Sequence, residues 1–359
     1  MLSYEVIEHG KPLQARIRET PQPEGSEVLV RITRSGVCHS DLHIWEGYFD
    51  LGGGKRFHVR DRGCVPPFTV GHEPYGVVEK VGPQASGVKP GDRRLVYPWI
   101  GCGKCAVCES GHDNYCLNSR FLGVVKPGAY ATHVLVPDAR YLIDASGIDE
   151  AWAATLACSG LTAFSAIAKL PELAPRDWVA VLGCGGLGMA AISMLRARGV
   201  TNVVACDVDP AKLERATQQG AAAVLDTRGD DALARLKALT GDAVAGALDF
   251  VGMPATANLG IAALAKGGSY VLCGLFGGEI TLPLPPIAQR AIAVRGSYVG
   301  SLQELRDVVA LARSGRLAPS PVEVRPASEV NRSMEELRDG KVLGRVVLDF
   351  ERVNPDRLS

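Results

Sequence analysis

The sequence predicts an α/β protein with two domains, a mostly β domain followed by a doubly wound parallel sheet. Its 359 residues are more than twice the roughly 150 residues of a common domain. Residues 1 to about 150 are rich in glycine and proline and contain short β-branched runs separated by turn signals. From about residue 160, strand-like apolar runs alternate with alanine-rich helical stretches, and this βαβ rhythm implies a parallel sheet.

The individual elements are predicted from local patterns. β-branched runs between turn residues predict four strands in the first part of the chain, at Glu27–Ile32, Gly76–Val81, Arg94–Pro98 and Ala131–Val136. Alternation of strand and helix is predicted in the second part, over Trp178–Leu182, Gly186–Arg198, Asn202–Asp207 and Asp209–Gln219. The remaining predictions are strands at Gly246–Val251 and Ser269–Cys273, a helix at Gln303–Arg313 and a last strand at Arg345–Phe350.

The composition is that of a soluble globular protein and argues against nucleic acid or membranes as partners. Hydrophobic residues make up 47% of the chain and charged residues 22%, and 39 basic residues balance 39 acidic ones. A net charge of zero removes the general attraction to phosphate backbones or anionic lipid. Two uncharged stretches, Ala151–Ala168 and Trp178–Leu195, are interrupted by hydroxyl groups or glycines, so we expect buried segments rather than membrane spans. The N-terminus lacks a basic region followed by an apolar run, so a cytoplasmic location is expected.

Four of the ten cysteines fall within fifteen residues, at positions Cys102, Cys105, Cys108 and Cys116. Zn²⁺ binds four thiolates in a tetrahedron, and small residues between closely spaced cysteines let one loop surround the ion. Because four thiolates leave no coordination position for water, such a zinc ion is structural. An iron–sulfur cluster is the alternative, since ferredoxin-like sequences also use two-residue gaps, but no second cysteine-rich run accompanies this one.

A glycine-rich turn follows the predicted strand Trp178–Leu182 and precedes a predicted helix. The G-x-G-x-x-G segment contains Gly183, Gly185, Gly186, Leu187 and Gly188. With a strand before it and a helix after it, this pattern predicts a dinucleotide site whose pyrophosphate lies at the helix N-terminus. Asp207 ends the next strand, where it would accept hydrogen bonds from the adenosine ribose, and Val208 follows it in place of a basic residue. The cofactor expected is therefore NAD rather than NADP, although such glycines can also merely pack a helix against a strand.

Three further residues suggest a second metal site. Cys38, His72 and Cys158 are widely separated in the sequence, and each alone is more often an ordinary buried or surface residue. Together they form a Cys₂His set, which leaves the fourth position of Zn²⁺ open and is used for alcohol oxidation.

These motifs together resemble those of the zinc-dependent alcohol dehydrogenases of the medium-chain dehydrogenase/reductase superfamily. The resemblance covers essentially the whole chain and is strongest to the tetrameric bacterial and archaeal members. The segments that carry it occur in the family's order and are Gly36–Asp41, Gly71–Glu73, Cys102–Cys116, Cys158–Gly160, Gly183–Gly188 and Gly344–Arg345.

The resemblance implies both an architecture and a reaction. A GroES-like catalytic domain would comprise residues 1–157, completed by residues 300–359, and a Rossmann NAD-binding domain would comprise residues 158–299. The implied reaction is reversible hydride transfer between an apolar primary or secondary alcohol and NAD, giving an aldehyde or ketone. One catalytic and one structural zinc ion per chain and a homotetramer are implied as well.

Roles for individual residues also come from the resemblance. Cys38, His72 and Cys158 would bind the catalytic zinc, and Glu73 would approach the metal when water and alcohol exchange. Ser40 and His43 match the proton relay, for which an imidazole with an unperturbed pKa of roughly 6.5 is suited. The cofactor contacts implied are His39, Thr162, Phe250, Val251, Val299 and Arg345. The substrate contacts implied are Phe49, Trp99, Val124 and Leu275, with Val299 beside them. These last residues would make a large apolar cleft but can equally belong to the ordinary core.

Three other functions are weighed against this one. A polyol dehydrogenase of the same superfamily usually has an acidic residue where Cys158 stands, and a zinc-free quinone or enoyl reductase would lack both metal sets. A non-catalytic nucleotide-binding protein would not need Ser40 and His43. The natural alcohol and the roles of four cysteines stay open, namely Cys64, Cys184, Cys206 and Cys273, and burial is expected for the last three.

Overall fold

The computed structural model describes residues 1–353. Its first strands are β1 (Leu2–Val6), β2 (Gln14–Ile17), β3 (Val28–Gly36), β4 (Tyr48–Gly52), β5 (Lys55–His58), β6 (Phe68–Thr69), β7 (Pro74–Val81), β8 (Arg93–Val96), β9 (His133–Val136) and β10 (Leu142–Ile143). The later strands are β11 (Val179–Leu182), β12 (Val203–Asp207), β13 (Ala223–Asp226), β14 (Val244–Asp249), β15 (Leu264–Leu272), β16 (Ala293–Gly296), β17 (Val322–Pro326) and β18 (Arg345–Asp349).

The helices lie mainly in the second half of the chain. They are α1 (His39–Glu46), α2 (Ala106–Glu109), α3 (Glu150–Thr155), α4 (Leu161–Ile167), α5 (Gly186–Ala197), α6 (Pro210–Gln218), α7 (Ala232–Thr240), α8 (Pro254–Ala263), α9 (Leu284–Gln289), α10 (Leu302–Arg313) and α11 (Val330–Arg338). A π-helical turn, Leu156–Gly160, joins α3 to α4. Side-chain caps start several helices, as where the Asp209 carboxylate accepts the Ala211 N–H at 2.9 Å before α6.

The β-rich part is built on a seven-stranded sheet. Its order is β10-β8-β7-β3-β18-β17, and β9 pairs with β3 as well. A three-stranded sheet, β2-β1-β6, and the hairpin β4–β5 stand beside it. Because β18 pairs antiparallel with β3, the C-terminal segment returns to the first sheet, as the resemblance implies. The domain boundaries at residues 157 and 300 stay predictions, and residues 354–359 lie outside the described part.

The second sheet is parallel throughout and has the order β13-β12-β11-β14-β15-β16. Every residue of β11 is buried, as expected for a strand covered on both faces by helices. The strand order reverses between β11 and β14, and ligands of such sheets bind beyond the carboxyl ends of the strands at this switch point. The predicted α/β fold is therefore confirmed, and the glycine-rich turn lies at the switch point.

The two uncharged stretches form the buried segments expected of them. Ala151–Ala168 forms most of α3, the π-helical turn and α4, and all residues from 151 to 163 are buried. Trp178–Leu195 forms β11, the glycine-rich turn and most of α5. Among residues 1–353, no helix is long and apolar enough to cross a membrane.

Candidate active site

Three separate elements bring two thiols and an imidazole together. Cys38 caps the N-terminus of α1, directly after β3, His72 lies just before β7, and Cys158 lies in the π-helical turn. The ligand atoms of these residues and of Glu73 all lie within 4.8 Å of one another, and all four residues are buried. The two sulfur atoms are 3.8 Å apart. The structure thus collects the predicted Cys₂His set in one place.

The imidazole of His72 fits a metal ligand. Its Nδ1 is 2.8 Å from a carboxylate oxygen of Asp41, whereas its Nε2 is buried and has no hydrogen-bond partner among residues 1–353. A buried polar atom without a partner costs about 1–3 kcal/mol, a cost that coordination of an ion removes. Two sulfur atoms and one nitrogen are the donors of a zinc site with one open position.

Asp41 lies behind the candidate metal site and had no role in the prediction from sequence. Its Oδ1 accepts hydrogen bonds from the His72 imidazole and, at 3.3 Å, from the Gly71 N–H. Its Oδ2 accepts from the Cys38 N–H at 3.0 Å and from the Tyr130 hydroxyl at 2.8 Å. A carboxylate behind a metal-binding histidine fixes the tautomer and the orientation of the ring. An acidic residue three positions after a helix cap is the only local signal for this role.

Glu73 and Arg345 form a buried ion pair beside the thiols. Arg345, the first residue of β18, donates from Nη2 to Oε1 of Glu73, whose Oε2 has no partner. Burial raises the pKa of Glu73 to about 7, although the charge of Arg345 opposes this rise. Arg345 also touches the glycine-rich turn, because a Cβ on Gly186 would lie 2.1 Å from its Cδ. One arginine therefore joins the candidate metal site to the candidate cofactor site.

The electrostatics favour the thiolate at Cys38. The hydrogen bond with Cys158 lowers the pKa of Cys38 well below its usual value, and the charge of Arg345 lowers it further, although burial opposes this shift. Because the thiolate is the form of cysteine that binds metal, this environment favours coordination.

Ser40 and His43 lie one turn apart on α1, and both are partly buried. Within residues 1–353, no direct hydrogen bond joins their side chains. The His43 ring is 4.6 Å from the Phe49 ring, and burial lowers the pKa of this imidazole. His43 also lines a cavity of about 420 Å³ between α1, the β4–β5 hairpin and Phe276, whose other lining includes Glu46, Tyr48, Asp50 and Arg56. The imidazole thus faces a mostly polar route to solvent.

One aromatic ring lies against the imidazole of His72, and two more pack behind it. The Trp99 ring is 5.2 Å from it and is held by a 3.0 Å hydrogen bond from Nε1 to the carbonyl of Ala157. Phe121 and Tyr298 pack against Trp99 edge to face, at 5.6 and 6.0 Å. Tyr298 had no role in the prediction from sequence, which named its neighbour Val299. Its position next to Val299 was the only signal in the sequence that could have indicated Tyr298.

The other predicted substrate residues differ in exposure. Phe49 and Val124 are half-buried, Val299 is buried, and 43% of Leu275 is exposed. Phe49 lies beside His43, and Leu275 precedes Phe276 at the edge of the cavity. Their contact with a substrate stays a prediction.

The glycine-rich turn is packed too closely for side chains at two of its glycines and is open at a third. Gly183 has a φ of +89°, and a Cβ there would lie 2.5 Å from Val251 Cγ2. A Cβ on Gly188 would lie 2.0 Å from the Gly183 carbonyl oxygen, which explains the close packing of α5 on the turn. A Cβ on Gly185 meets nothing within 4 Å, so open space lies at the start of α5. The N-terminus of α5 can therefore receive an anionic group.

Asp207 is positioned at the end of β12 by backbone N–H groups. Its Oδ2 accepts from the N–H of Cys184 at 2.7 Å, inside the glycine-rich turn. Its Oδ1 accepts from the N–H groups of Val208 at 2.8 Å and Asp209 at 3.0 Å. The carboxylate is only partly buried, so it stays available to ribose hydroxyls.

The remaining predicted cofactor residues are spread around this cleft. The His39 ring is 5.3 Å from Phe276, and burial lowers the pKa of His39 to about 4. Thr162 is buried on α4, and Phe250 and Val251 lie in the turn after β14. These placements leave their roles as predictions.

The four clustered cysteines lie close together in the segment Cys102–Cys116, which we call the cysteine lobe. The Sγ of Cys105 is 3.5 Å from that of Cys108 and 3.8 Å from that of Cys116, and the ligand atoms of all four lie within 4.8 Å of one another. Hydrogen bonds to the backbone N–H of Lys104 lower the pKa of Cys102 to about 6. These donors fit a closed tetrahedral site. The four unassigned cysteines, Cys64, Cys184, Cys206 and Cys273, are all buried.

Comparisons with known proteins agree with this geometry. The model of the alcohol dehydrogenase GroES-like domain matches residues 24–146, and that of the zinc-binding dehydrogenases matches residues 186–314. An NAD-dependent alcohol dehydrogenase of Sulfurisphaera tokodaii is 35% identical over 350 residues, which cover 97% of this chain and 99% of the relative. An alcohol dehydrogenase of Geobacillus stearothermophilus is 34% identical over 348 residues, covering 95% and 97%.

Two solved structures are similar over nearly the whole chain. The alcohol dehydrogenase of the archaeon Aeropyrum pernix has a TM-score of 0.88 at 33% identity, covering 97% of this chain and 100% of that one. The acetophenone reductase of Geotrichum candidum, solved with NAD, has a TM-score of 0.84 at 28% identity, covering 98% of both chains.

Proposed function

Because the chain belongs to the zinc-dependent alcohol dehydrogenases of the medium-chain dehydrogenase/reductase superfamily, we propose that Cys38, His72 and Cys158 hold the zinc at which it oxidises an alcohol. The chain transfers hydride reversibly between an alcohol and NAD, giving an aldehyde or ketone. One observation carries the placement of this reaction: two buried thiols surround an imidazole whose Nε2 has no partner and whose Nδ1 is held by Asp41.

Each residue near the metal has a distinct role. Bound zinc supplies Lewis-acid polarisation of the alcohol oxygen, and NAD accepts the hydride. Asp41 keeps the Nε2 of His72 directed away from itself and so available for coordination. Arg345 holds one oxygen of Glu73, which leaves the other oxygen free to approach the metal position while water and alcohol exchange.

The proton of the alcohol leaves through Ser40 and His43. The Ser40 hydroxyl accepts it, and the His43 imidazole releases it to water in the adjoining polar cavity. Because no direct hydrogen bond joins the two side chains in the part of the chain described, a water molecule or a cofactor hydroxyl must bridge them. The lowered pKa of His43 keeps the imidazole neutral, and able to accept a proton, at neutral pH.

The cofactor is proposed to lie along the switch point of the parallel sheet. Its pyrophosphate would face Gly183–Gly188, Arg345 and His39, and its adenosine ribose would face Asp207. Its nicotinamide would lie among Thr162, Phe250, Val251 and Val299. The open space at Gly185 and the three backbone hydrogen bonds that orient Asp207 support this placement.

The substrate is proposed to be an apolar primary or secondary alcohol. The Trp99 ring beside His72, with Phe121 and Tyr298 packed against it, favours an apolar side chain. Phe49, Val124 and Leu275 would complete the pocket. A polyol would need polar partners there, so a polyol dehydrogenase is not favoured.

The assembly is proposed to be a homotetramer. Each chain would hold one catalytic and one structural zinc ion, and the protein would be located in the cytoplasm. Strand β16 ends the parallel sheet, and 44% of its Val294 is exposed, so its free edge can pair with the same strand of a second copy. Two sets of metal-binding thiols suit a reducing compartment.

The reaction is tested by measuring NADH formation from linear, branched, cyclic and benzylic alcohols. 1-Phenylethanol belongs in this panel because a structural relative is an acetophenone reductase. We expect a zinc chelator to abolish turnover and added Zn²⁺ to restore it. The alcohol must lose its proton before hydride can leave, and zinc would stabilise the charge on the oxygen. If protein that contains both zinc ions formed no NADH with any alcohol of the panel, the proposed substrate class would be contradicted.

Replacement of Cys105 by serine separates the two metal sites. We expect the zinc content to fall from two ions to one per chain and the Tm to fall by about 5 °C or more, because metal binding stabilises the lobe. The kcat per folded chain should stay unchanged, since Cys105 belongs to the lobe and not to the buried Cys₂His set. A large loss of kcat with an unchanged Tm would contradict a structural role. Elemental analysis, calorimetry and the alcohol assay provide the three measurements.

A further inference from the structure

Two turns at the carboxyl ends of β14 and β15 contact each other through their backbones. A Cβ on Gly252, whose φ is +74°, would lie 2.2 Å from the carbonyl oxygen of Gly274. The N–H of Phe276 donates to the carbonyl of Val251 at 3.2 Å, and the N–H of Gly277 donates to that of Gly252 at 3.0 Å. The two turns therefore form one unit at the edge of the candidate cofactor cleft.

The buried residue Asp249 holds this unit together. Its Oδ1 accepts the N–H groups of Val251 at 2.8 Å and Gly252 at 2.9 Å, in the first turn. Its backbone carbonyl accepts the N–H groups of Cys273 at 2.8 Å and Gly274 at 3.0 Å, in the second. The other carboxylate oxygen, Oδ2, accepts the hydroxyl of Tyr270 at 2.7 Å. Tyr270 lies on β15 and is buried as well.

The unit contacts both walls of the cleft. On one side, the side chain of Val251 fills the space above Gly183, the first glycine of the glycine-rich turn. On the other side, the Phe276 ring lies against His39, and a Cβ on Gly277 would lie 2.5 Å from the Asp50 carbonyl oxygen in the β4–β5 hairpin. A shift of the two turns therefore changes the width of the cleft.

We propose that Asp249 and Tyr270 are positioning residues for NAD, which hold the turns Phe250–Gly252 and Cys273–Gly277 in the conformation that binds the cofactor. This inference rests on the proposed position of NAD along Gly183–Gly188. A carboxylate accepts two backbone N–H groups and one hydroxyl here, so loss of the hydroxyl leaves a buried oxygen unpaired and loosens both turns.

The chain offers a matched control for the alternative that this pair only stabilises the fold. The buried Tyr141 hydroxyl donates to Oδ1 of Asp113 at 2.9 Å, and the same oxygen accepts the Gly101 N–H at 3.1 Å. This pair has the same donor and acceptor groups and is also buried, although Arg140 donates to the Tyr141 hydroxyl as well. It lies beside the cysteine lobe rather than at the cofactor cleft.

The experiment compares Tyr270→Phe with Tyr141→Phe by fluorescence titration with NADH and by calorimetry without cofactor. Both substitutions should lower the Tm, because each leaves a buried carboxylate oxygen without its hydroxyl donor. Only Tyr270→Phe should raise the dissociation constant for NADH, by about tenfold, as expected for one lost hydrogen bond to a charged group. Equal dissociation constants for the two variants, at equal loss of Tm, would overturn the proposal.

A second variant covers the case in which Tyr270→Phe does not fold. Asp249→Asn keeps an oxygen for the two N–H groups and an amide that can donate to Tyr270, so it should bind NADH more tightly than Asp249→Ala. Equal affinity of these two variants would likewise overturn the proposal. Because NADH binding needs no alcohol, the result stands even if every alcohol of the panel is inert. Failure of the wild-type chain to bind NADH would overturn both the proposed cofactor site and this inference.

Discussion

Replacement of Cys38 by serine is expected to abolish alcohol oxidation while NADH binding is retained. The substitution removes one of three ligands from the buried Cys₂His set, and a serine hydroxyl does not replace a thiolate as a zinc ligand. The Lewis acid contributes several kcal/mol to stabilising the charge that develops on oxygen, so its loss lowers kcat/KM by about a thousandfold or more. NADH binding is retained because, in the described part of the chain, no hydrogen bond joins the Cys38 side chain to the glycine-rich turn or to Asp207.

Cys64→Ser is the matched control for this experiment. Cys64 is buried like Cys38, but burial raises its pKa to about 12, and it lies outside both metal clusters. The control should keep its zinc content and its turnover, although replacing a buried thiol can lower the Tm. If Cys38→Ser still bound NADH and kept its turnover, the assignment of Cys38 as a ligand of the catalytic zinc would be wrong.

Asp207→Ala is expected to narrow the preference for NAD over NADP by about 10- to 100-fold, the value of one or two hydrogen bonds to a charged group. In the wild-type chain the carboxylate accepts hydrogen bonds from ribose hydroxyls and repels a 2′-phosphate. Its loss also leaves the Cys184 N–H in the glycine-rich turn without its acceptor. This change should weaken the binding of NAD and of NADP to the same extent. The ratio of kcat/KM for NAD to that for NADP is therefore the quantity to measure.

Asp209→Ala controls for the removal of a nearby negative charge. The carboxylate of Asp209 caps α6 by accepting the Ala211 N–H, so its loss should cost about 1 kcal/mol of stability. It should leave the cofactor ratio unchanged, because Asp209 has no side-chain hydrogen bond to the glycine-rich turn in the described chain. If Asp207→Ala also left the ratio unchanged, another residue would recognise the ribose.

The parallel sheet could be predicted from the sequence because its strands are buried on both faces. Burial on two sides requires continuous apolar runs such as those of β11 and β12, and alternation with helical stretches then fixes their parallel direction. The β4–β5 hairpin was not predicted, since its residues are largely exposed and carry charges among three consecutive glycines. The hairpin forms one side of the polar cavity, and it packs there against the loop around Gly277, which is far away in the sequence.

The candidate site could be predicted where a motif has a local spacing. The four clustered cysteines and the glycine-rich turn are of this kind, whereas grouping Cys38, His72 and Cys158 required a known recipe for a zinc site. Supporting residues were missed because their partners are distant in the chain. Asp41 takes its role from Tyr130, 89 positions away, and from His72, 31 positions away. No local pattern encodes such contacts, which arise only when the sheets pack together.

We expect zinc to occupy the buried set formed by Cys38, His72 and Cys158. X-ray diffraction recorded on both sides of the zinc absorption edge locates such an ion. We predict two anomalous peaks per chain, one among the four cysteines of the lobe and one between the two sulfur atoms and the Nε2 of His72. A peak in the lobe alone, from protein that oxidises an alcohol with NAD, would contradict the account.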